Sequence, residues 1–423
     1  MKKILLLIFF PTVLFSQGYT SFFTGNTTNI TTVTSPGTCL MGGATENDNA
    51  MKWLLQKANG GDIVVLRSTG TDGYNGYFYT DLGITVNSVE TLVITSVAGA
   101  TNPYVLNKVA NAEMIWFAGG DQSNYVNYFK NNALEDLLNN HITIKNAPIG
   151  GTSAGMAILG GKYFSALNGS VTSAQALSNP YNPLITLGIN DFLDIPFLQD
   201  VTTDTHFNNP DRKGRLMTFL ARNSADQNMR SFGIASNEYV AVCIDGSGKA
   251  IVYGDYPNYQ EFAYFLQANC QNDFTPETCF VNNNLTWNRN GEAVKVYKVP
   301  GTMNGSNYFQ LNDWQTGSGG SWENWKVING VFSSYAGNPS TCLLKINEFS
   351  SNEIVVYPIP FTDEISIEGF EGNIKIVDLN GKILIEKQLS KHENINTRNL
   401  NLGVYVIQLK RNGKVISKKI IKK

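Results

Sequence analysis

Residues 114–122, Met-Ile-Trp-Phe-Ala-Gly-Gly-Asp-Gln, join an apolar run to two glycines and then to polar residues. Such a run predicts a buried strand that ends in a tight turn. Two runs of the same kind come earlier, at Ile63–Leu66 and Thr91–Thr95, and Asn47–Ala58 has the apolar spacing of a helix that covers one face of a sheet. This alternation predicts an α/β domain with a mainly parallel sheet and flanking helices.

A second glycine-rich stretch, Gly150-Gly151-Thr152-Ser153-Ala154-Gly155, contains the pattern G-x-S-x-G. In that pattern a serine lies on a tight strand-to-helix turn, and small residues surround it because the backbone leaves no room for side chains. The preceding segment 142–144 is weakly strand-like, and Ala154–Leu159 can begin a helix. Taken alone, the pattern fits an ordinary turn about as well as a nucleophile.

A nucleophilic serine needs a base, and the chain contains His141, His206 and His392. His141 lies at a predicted helix end and His392 in the C-terminal region. His206 lies in a polar loop and is the candidate base, the alternative being a surface histidine at a helix start. Glu238, just before a predicted strand at 239–244, is the candidate acid that orients the imidazole, and Asp204 is its competitor.

Four segments in this order resemble the motifs of cyanophycinases and the related aspartyl dipeptidases: 117–122, 150–155, 204–207 with Arg212 and 214–216, and 233–238. The fold of those enzymes is similar to flavodoxin-like sheets and to class I glutamine amidotransferases. The resemblance therefore implies that fold for the catalytic domain, followed here by a β-rich segment and a small C-terminal β-sandwich.

The resemblance implies a serine peptidase with Ser153 as nucleophile and His206 as base. With three histidines, no HExxH motif and no cysteines in metal-ligand spacing, no metal or cofactor is expected. Relatives often carry an acid between these two, but segment 164–169 has none, so the role is placed on Glu238. Backbone donors for the oxyanion are expected from Gly119, Gly120 and Ala154. Substrate-binding side chains are expected to be Gln122, Asp204, Arg212 and Arg215; for the two arginines the alternative is ordinary solvated side chains. Met156, where relatives commonly have Ala or Cys, is expected to narrow the pocket.

The predicted activity is hydrolysis of aspartyl peptide bonds, including β-Asp-Arg bonds, through an acyl-enzyme on Ser153. A general α-peptide or a β-aspartyl dipeptide is nearly as good a substrate candidate as cyanophycin. The alternative function is a catalytically weak or inactive surface-binding protein on the same scaffold, with the aromatic-rich segment 262–344 as its binding surface. That segment is predicted to be β-rich, as an extension of the catalytic domain or as a small second unit.

The C-terminal stretch alternates apolar positions in pairs, which predicts a small antiparallel sandwich of hairpins with a turn at Asp378–Gly381. The paired positions are Ile365 with Ile367, Ile374 with Ile376, Ile383 with Ile385, Val404 with Val406, and Val415 with Ile416. Segments 356–361, 376–382 and 402–406 resemble the type A C-terminal sorting domain of the bacterial type IX secretion system. The resemblance implies export across two membranes; the alternative is a β-sandwich that binds another ligand.

The N-terminus has a positive start, an apolar run and then small polar residues, as in a secretory signal peptide. The apolar run is shorter than the about 20 residues that span a bilayer, although a retained anchor is the alternative. The predicted organisation is a signal peptide (1–17), a catalytic domain (18–261), a β-rich extension (262–345) and a sorting domain (346–423). Among five cysteines, Cys270 and Cys279 are expected to pair.

The 423-residue chain has a formal net charge of −2 and 16% charged residues, so it has no basic field for nucleic acid. No later segment is apolar enough to span a membrane. The expected partners are a peptide or cyanophycin-like polymer, the type IX secretion machinery and, as one option, a second copy of the chain in a homodimer. The expected location is the cell surface or the medium.

Overall fold

The structure is a computed structural model that describes residues 17–270, 273–339, 355–368, 370–378, 382–390, 394–411 and 414–423. The chain divides into two units, Met1–Leu343 and Leu344–Lys423. The predicted signal peptide, apart from its last residue, lies outside the described residues. Within the described residues, no helix is both long and apolar enough to cross a membrane.

Short helices surround the strands of the first unit. They are α1 (Asp48–Lys57), α2 (Gly73–Gly76), α3 (Val97–Ala100), α4 (Pro103–Asn111), α5 (Gln122–Phe129), α6 (Ala133–Thr143), α7 (Ala154–Ala157), α8 (Ser173–Ser178) and α9 (Lys213–Gln227), with a π-helical turn at Tyr77–Asp81 and a 3-10 turn at Arg289–Gly291.

The strands of the first unit form two sheets. They are β1 (Tyr19–Gly25), β2 (Gly37–Met41), β3 (Asp62–Arg67), β4 (Ser88–Ile94), β5 (Met114–Phe117), β6 (Ile149–Thr152), β7 (Lys162–Phe164), β8 (Leu187–Ile189), β9 (Val201–Asp204), β10 (Phe232–Ser236), β11 (Ala241–Asp245), β12 (Lys249–Tyr256), β13 (Phe262–Ala268), β14 (Val294–Pro300), β15 (Asn307–Gln310), β16 (Gly317–Ser318), β17 (Ser321–Ile328) and β18 (Val331–Ala336).

The first sheet has ten strands in the order β1-β4-β3-β5-β6-β2-β11-β12-β15-β16. The run β4-β3-β5-β6-β2 is parallel, and antiparallel strands extend it at both edges. The α/β prediction is thus confirmed, and the parallel arrangement holds for this central run. The carboxyl ends of parallel neighbours meet at one edge, which brings the loops after β2, β5 and β6 together.

The second sheet has eight strands in the order β18-β17-β14-β13-β10-β9-β7-β8. Among its described strands, the parallel pairs are β10 with β9 and β9 with β7. Strands from beyond residue 261 join both sheets, because β13 pairs with β10 and β15 pairs with β12. The β-rich segment is therefore an integral part of the first unit.

Helix α1 shows why the predicted pattern folds as it does. The Asn47 side chain accepts a hydrogen bond from the amide of Ala50 and so caps the helix. Ala50, Met51 and Leu54 are fully buried against strands of the first sheet. The predicted helix at 47–58 is confirmed, and the predicted strands at 63–66, 91–95 and 114–118 match β3, β4 and β5 closely.

Two local predictions near the serine and the glutamate need correction. Segment 142–144 is the end of helix α6, and the strand before Ser153 is β6 at Ile149–Thr152. Segment 142–144 follows the pattern of an amphipathic helix, in which Leu138 and Ile142 both face the core. The strand expected at 239–244 begins at Ala241, since Tyr239 is exposed with φ of 66°.

The aromatic-rich segment does not present a tryptophan surface. Trp287 and Trp325 are fully buried, and Trp314 is 5% exposed. Phe207 and Trp325 stack with ring centroids 6.2 Å apart, so part of this segment packs beneath the loop that follows β9. These three tryptophans are therefore core residues, whereas Phe280 and Tyr335 are 62% and 43% exposed. The tryptophans give no support to the binding-protein alternative.

The predicted Cys270–Cys279 bridge is wrong. Cys279 is a free, buried thiol, whereas Cys270 is disulfide-bonded to a different partner. Closeness in sequence misled the prediction, since pairing depends on how the backbone orients the two side chains. Cys39 and Cys243 are also free and buried.

The second unit contains a three-stranded and a four-stranded antiparallel sheet. Its strands are β19 (Val355–Tyr357), β20 (Glu364–Glu368), β21 (Gly372–Val377), β22 (Ile383–Leu389), β23 (Asn394–Asn396), β24 (Gly403–Arg411) and β25 (Lys414–Lys422). The prediction of a small antiparallel sandwich is confirmed. Strands β21 and β22 form a hairpin, and residues 379–381 of its predicted turn lie outside the described residues.

The predicted buried face of the strands in this unit is correct for β20 and β21 and is shifted by one residue for β24. Ile365, Ile367, Ile374 and Ile376 are buried as expected. In β24, however, the buried residues are Tyr405, Ile407 and Leu409, so Val404 and Val406 lie on the opposite face. In β22, Ile383 is 46% exposed and Ile385 only packs against the core. A period of two does not itself say which face is buried.

Candidate active site

Ser153 occupies the turn between β6 and α7. Its backbone has φ of 53° and ψ of −117°, a conformation that is strained for a residue other than glycine. The turn is tight because neighbouring backbones approach closely: a Cβ on Gly155 would lie 2.7 Å from Cβ of Phe117, and a Cβ on Gly151 would lie 2.6 Å from the carbonyl carbon of Gly155. The glycines therefore permit the turn that exposes the Ser153 hydroxyl.

His206 lies in the loop that follows β9 and contacts this serine. Nε2 of His206 and Oγ of Ser153 are 2.8 Å apart. The His206 amide donates to the carbonyl of Gly42 at 2.7 Å, and its backbone has φ of 45°. Gly43, with φ of 114°, lies directly against the imidazole ring. The loop after β2 thus holds the base in position.

Glu238, in the loop after β10, is the third residue of the site and contacts His206. Its Oε1 lies 2.7 Å from Nδ1 of His206, and its Oε2 accepts from Nδ2 of Asn209 at 3.4 Å. The hydrogen bond from His206 lowers the pKa of the Glu238 carboxyl. An ionised carboxylate accepts the Nδ1 proton, which leaves the Nε2 lone pair free to accept the Ser153 proton.

The other two candidates for base and acid lie elsewhere. His141 is buried in α6, where Nε2 contacts the carbonyl of Pro148 at 3.1 Å and burial lowers its pKa to about 4. Asp204 does not contact His206, because both its carboxylate oxygens bind the guanidinium of Arg215, at 2.9 Å for the Nε–Oδ2 pair. Glu238 is therefore the acid in contact with the imidazole.

The expected oxyanion donors surround the serine. A Cβ built on Gly119 would lie 3.5 Å from Cβ and 3.9 Å from Oγ of Ser153. Gly120, with φ of 150°, and Ala154 line the cavity in front of the serine. Ala154 is also the first residue of α7, where backbone N–H groups have no intrahelical acceptor. These three backbones can supply donors to a developing negative charge.

The cavity in front of Ser153 has a volume of about 370 Å³. Gln122, the first residue of α5, lines it, as do Arg212 and Arg215. Burial, together with repulsion from Arg215, lowers the pKa of Arg212 to about 10, so it remains a cation at neutral pH. Its Nη1 donates to the carbonyl of Thr205 at 3.0 Å, and within the described residues its buried Nε has no hydrogen-bond partner.

Two expectations about this cavity need correction. Asp204 is 2% exposed and is not among the cavity-lining residues, so it holds Arg215 rather than substrate. Met156 is fully buried and does not line the cavity either, so it does not narrow the pocket directly. Arg215 is 4% exposed and its ion pair with Asp204 uses one edge of its guanidinium.

Several residues that support the site were missed from the sequence. Asn208 accepts a hydrogen bond from the Glu238 amide at 3.1 Å and donates to Glu261 at 2.9 Å. Glu261 also accepts from Asn237, so this network fixes the loop that carries Glu238. Gly43 was detectable, since a glycine pair directly after an apolar strand signals close backbone approach. The contacts of Glu261 depend on the tertiary fold alone.

Comparison with known proteins identifies similar families for two parts of the chain. Residues 72–252 match the model of peptidase family S51, and residues 355–423 match the secretion system C-terminal sorting domain. No curated protein matches the chain. Among solved structures, a peptidase from an acI-B1 Actinobacterium is similar, with a TM-score of 0.39 and 17% identity over 53% of this chain and 89% of that chain. A candidate peptidase E protein from Listeria monocytogenes EGD-e has a TM-score of 0.33 and 16% identity, over 52% and 99% of the two chains.

The family match defines the class of protein as an exported peptidase. More particularly, the chain carries a peptidase family S51 domain, and its C-terminal unit is a type IX secretion sorting domain. The sorting domain indicates export to the cell surface or the medium, in agreement with the prediction. Among the described residues, no group of three or more His, Cys, Asp or Glu side chains is arranged to hold a metal ion.

Proposed function

We propose that this protein is a serine peptidase that hydrolyses aspartyl peptide bonds, including β-Asp-Arg bonds, with Ser153 as nucleophile, His206 as base and Glu238 as the orienting acid. The observation that carries the proposal is the continuous chain of contacts: 2.8 Å from Ser153 to His206 and 2.7 Å from His206 to Glu238. The first distance lies within the range in which a nucleophile passes a proton to its base, and the second is a hydrogen-bond distance at which the acid orients that base.

In the acylation step, Ser153 Oγ attacks the carbonyl carbon of the scissile bond and transfers its proton to Nε2 of His206. The resulting oxyanion accepts hydrogen bonds from the Gly119–Gly120 turn and the amide of Ala154. His206 then gives the proton to the leaving amine, and the C–N bond breaks to form the acyl-enzyme. In deacylation, water gives a proton to His206, attacks the ester, and releases the acid while Ser153 recovers its proton.

The cavity favours a short substrate that carries a negative charge. Its volume of about 370 Å³ is at the small end of the range for ligand sites. The Arg212 guanidinium and the second edge of Arg215 provide donors for a carboxylate, such as the free carboxylate of an aspartyl residue. Gln122 faces the same space and can hydrogen-bond the substrate backbone.

The nucleophile is tested first, without knowledge of the substrate. A fluorophosphonate probe should label the folded protein, and peptide mapping should place the label on Ser153. The Ser153→Ala variant should not be labelled, whereas Ser170→Ala, which removes a hydroxyl at the cavity rim, should be labelled like the wild type. Labelling of Ser153→Ala at the wild-type rate would overturn the assignment.

Substrate class is tested by comparing hydrolysis of α-Asp dipeptides, β-Asp-Arg dipeptides and cyanophycin. Arg212→Met should raise KM for the aspartyl substrates about 10- to 100-fold and change kcat less, because a charge-assisted hydrogen bond contributes about 1.5–3 kcal/mol. Lys213→Met removes a neighbouring cation that does not line the cavity and serves as the control. Equal rates of hydrolysis by wild type and Ser153→Ala would remove Ser153 from the mechanism, and the absence of hydrolysis by either protein would favour a binding protein.

A further inference from the structure

We infer that Cys39 and Cys243 are joined by a disulfide bond in the exported protein. The two residues lie directly opposite each other in the antiparallel pair of β2 with β11. Their Sγ atoms are 3.7 Å apart, so the thiols already touch. Directly opposed residues in such a pair have Cα atoms about 4.5–5.5 Å apart, which falls within the Cα separation of about 4.4–6.8 Å found for disulfides.

The location of the chain favours oxidation. The sorting domain at residues 355–423 directs the protein out of the cytoplasm, into compartments where disulfides form and persist. The same structure already contains one disulfide, at Cys270. The inference rests on export and on the strand pairing, and it is independent of the proposed peptidase mechanism.

The bond forms by thiol–disulfide exchange with an oxidant of the disulfide class, R–S–S–R. One thiolate attacks an oxidant sulfur and releases one R–SH, which leaves a mixed disulfide on the protein. The second thiolate then attacks the protein sulfur and releases the other R–SH, so that two protein thiols and one R–S–S–R yield one protein disulfide and two R–SH. Both cysteines are fully buried, and burial raises the pKa of the Cys243 thiol, so exchange takes place during folding, before the strands close over it.

The bond would join the two halves of the first sheet. Strand β2 is the last of its parallel strands, and β11 begins its antiparallel part. The two cysteines are 204 positions apart, so the crosslink closes a long loop and restricts the unfolded chain strongly. The same strands continue into Gly42 and Val240, whose amide and carbonyl are hydrogen-bonded at 2.9 Å. The crosslink therefore also fixes the base of the loop after β2, whose Gly42 and Gly43 contact His206, and the base of the loop that carries Glu238.

Peptide mapping of the secreted, full-length protein tests the inference. The protein is collected in the presence of an alkylating reagent, denatured without reductant, alkylated again and digested. We expect a crosslinked peptide pair that contains Cys39 and Cys243, which separates only after reduction. Cys279, a buried thiol at a distant position, should be alkylated without reduction and is the internal control. Alkylation of Cys39 and Cys243 without reduction, or a bridge from either to another cysteine, would overturn the inference.

Thermal unfolding gives an independent measurement. Reductant should lower the Tm of the wild type by about 5–10 °C more than it lowers the Tm of Cys39→Ala, because the bridge at Cys270 is lost equally from both proteins. Cys279→Ala should retain the full wild-type response to reductant. Equal shifts in wild type and Cys39→Ala would contradict the inference even if Cys39→Ala is itself less stable.

Discussion

Gly43→Ala should disable the site without removing any of its three reacting side chains. A Cβ at position 43 would lie 2.9 Å from Cδ2 of His206 and nearer still to Cε1 and Nε2, whereas ordinary contacts begin at 3.4 Å. Relief of this overlap requires the imidazole to move by roughly 1 Å, since a packed interior yields little. A shift of that size takes Nε2 out of the range of about 2.6–3.2 Å needed for proton exchange with Ser153.

The expected loss is about 10²–10⁴-fold in kcat, the usual contribution of a positioned general base. The rate of fluorophosphonate labelling should fall with it, so the assay does not depend on the substrate. Gly83→Ala is the matched control, because Gly83 also has a positive φ, of 67°, but has no atom within 4 Å of the added methyl group. It should cost about 1 kcal/mol of stability through backbone strain and leave labelling unchanged. A folded Gly43→Ala protein that is labelled at the wild-type rate would refute the assigned role of His206.

Three further predictions concern the polar groups around the site. Glu238→Gln should lower kcat about 10²–10⁴-fold, because the amide cannot stabilise the imidazolium that forms on His206; an unchanged kcat would exclude Glu238 as the acid. Because the folded-state pKa of Glu238 is depressed, its carboxylate contributes stability that is present above the unfolded pKa of about 4.3 and is lost as pH falls through the folded pKa. The Tm difference between wild type and Glu238→Gln should therefore be full at pH 7 and disappear in acid, and a difference that grows in acid would contradict this. Arg215→Met should destabilise the fold by about 3–5 kcal/mol in urea unfolding, because it leaves Asp204 buried and uncompensated, whereas the double variant Arg215→Met with Asp204→Leu should recover most of that loss.

The sequence predicted the central parallel strands because their apolar runs are short, continuous and end in glycine or polar residues. The same reasoning failed at 142–144, where β-branched residues lie at the end of an amphipathic helix. It also shifted the buried face of β24 by one residue, since alternation at Val404 and Val406 does not reveal which side packs on the partner sheet. A local pattern predicts a segment correctly when the residues of that segment determine its structure. The pattern is ambiguous when packing against a neighbouring element determines which structure forms or which face is buried.

The candidate site likewise contains residues that the sequence indicates and residues that only the tertiary contacts identify. Ser153, His206 and Glu238 could be proposed from the sequence, because few histidines are available and the segments that carry the three residues resemble, in order, the motifs of a known family. The role of Asp204 could not, since its carboxylate is close to His206 in sequence but turns inward to Arg215. Glu261 and Asn208 gave no signal, because their contacts join loops that are more than 20 residues apart.

The sequence by itself determined the α/β class of the first unit and the tight turn at Ser153, because each follows from short-range patterns of size, polarity and backbone freedom. It indicated the sorting domain through a family resemblance. Only the tertiary structure decided that a second sheet brings β9 and β10 beside β2 and β6, that Gly43 lies against the imidazole, and that Cys39 faces Cys243. Those contacts arise between segments far apart in the chain. Their geometry is set by strand register and packing, which no local pattern encodes.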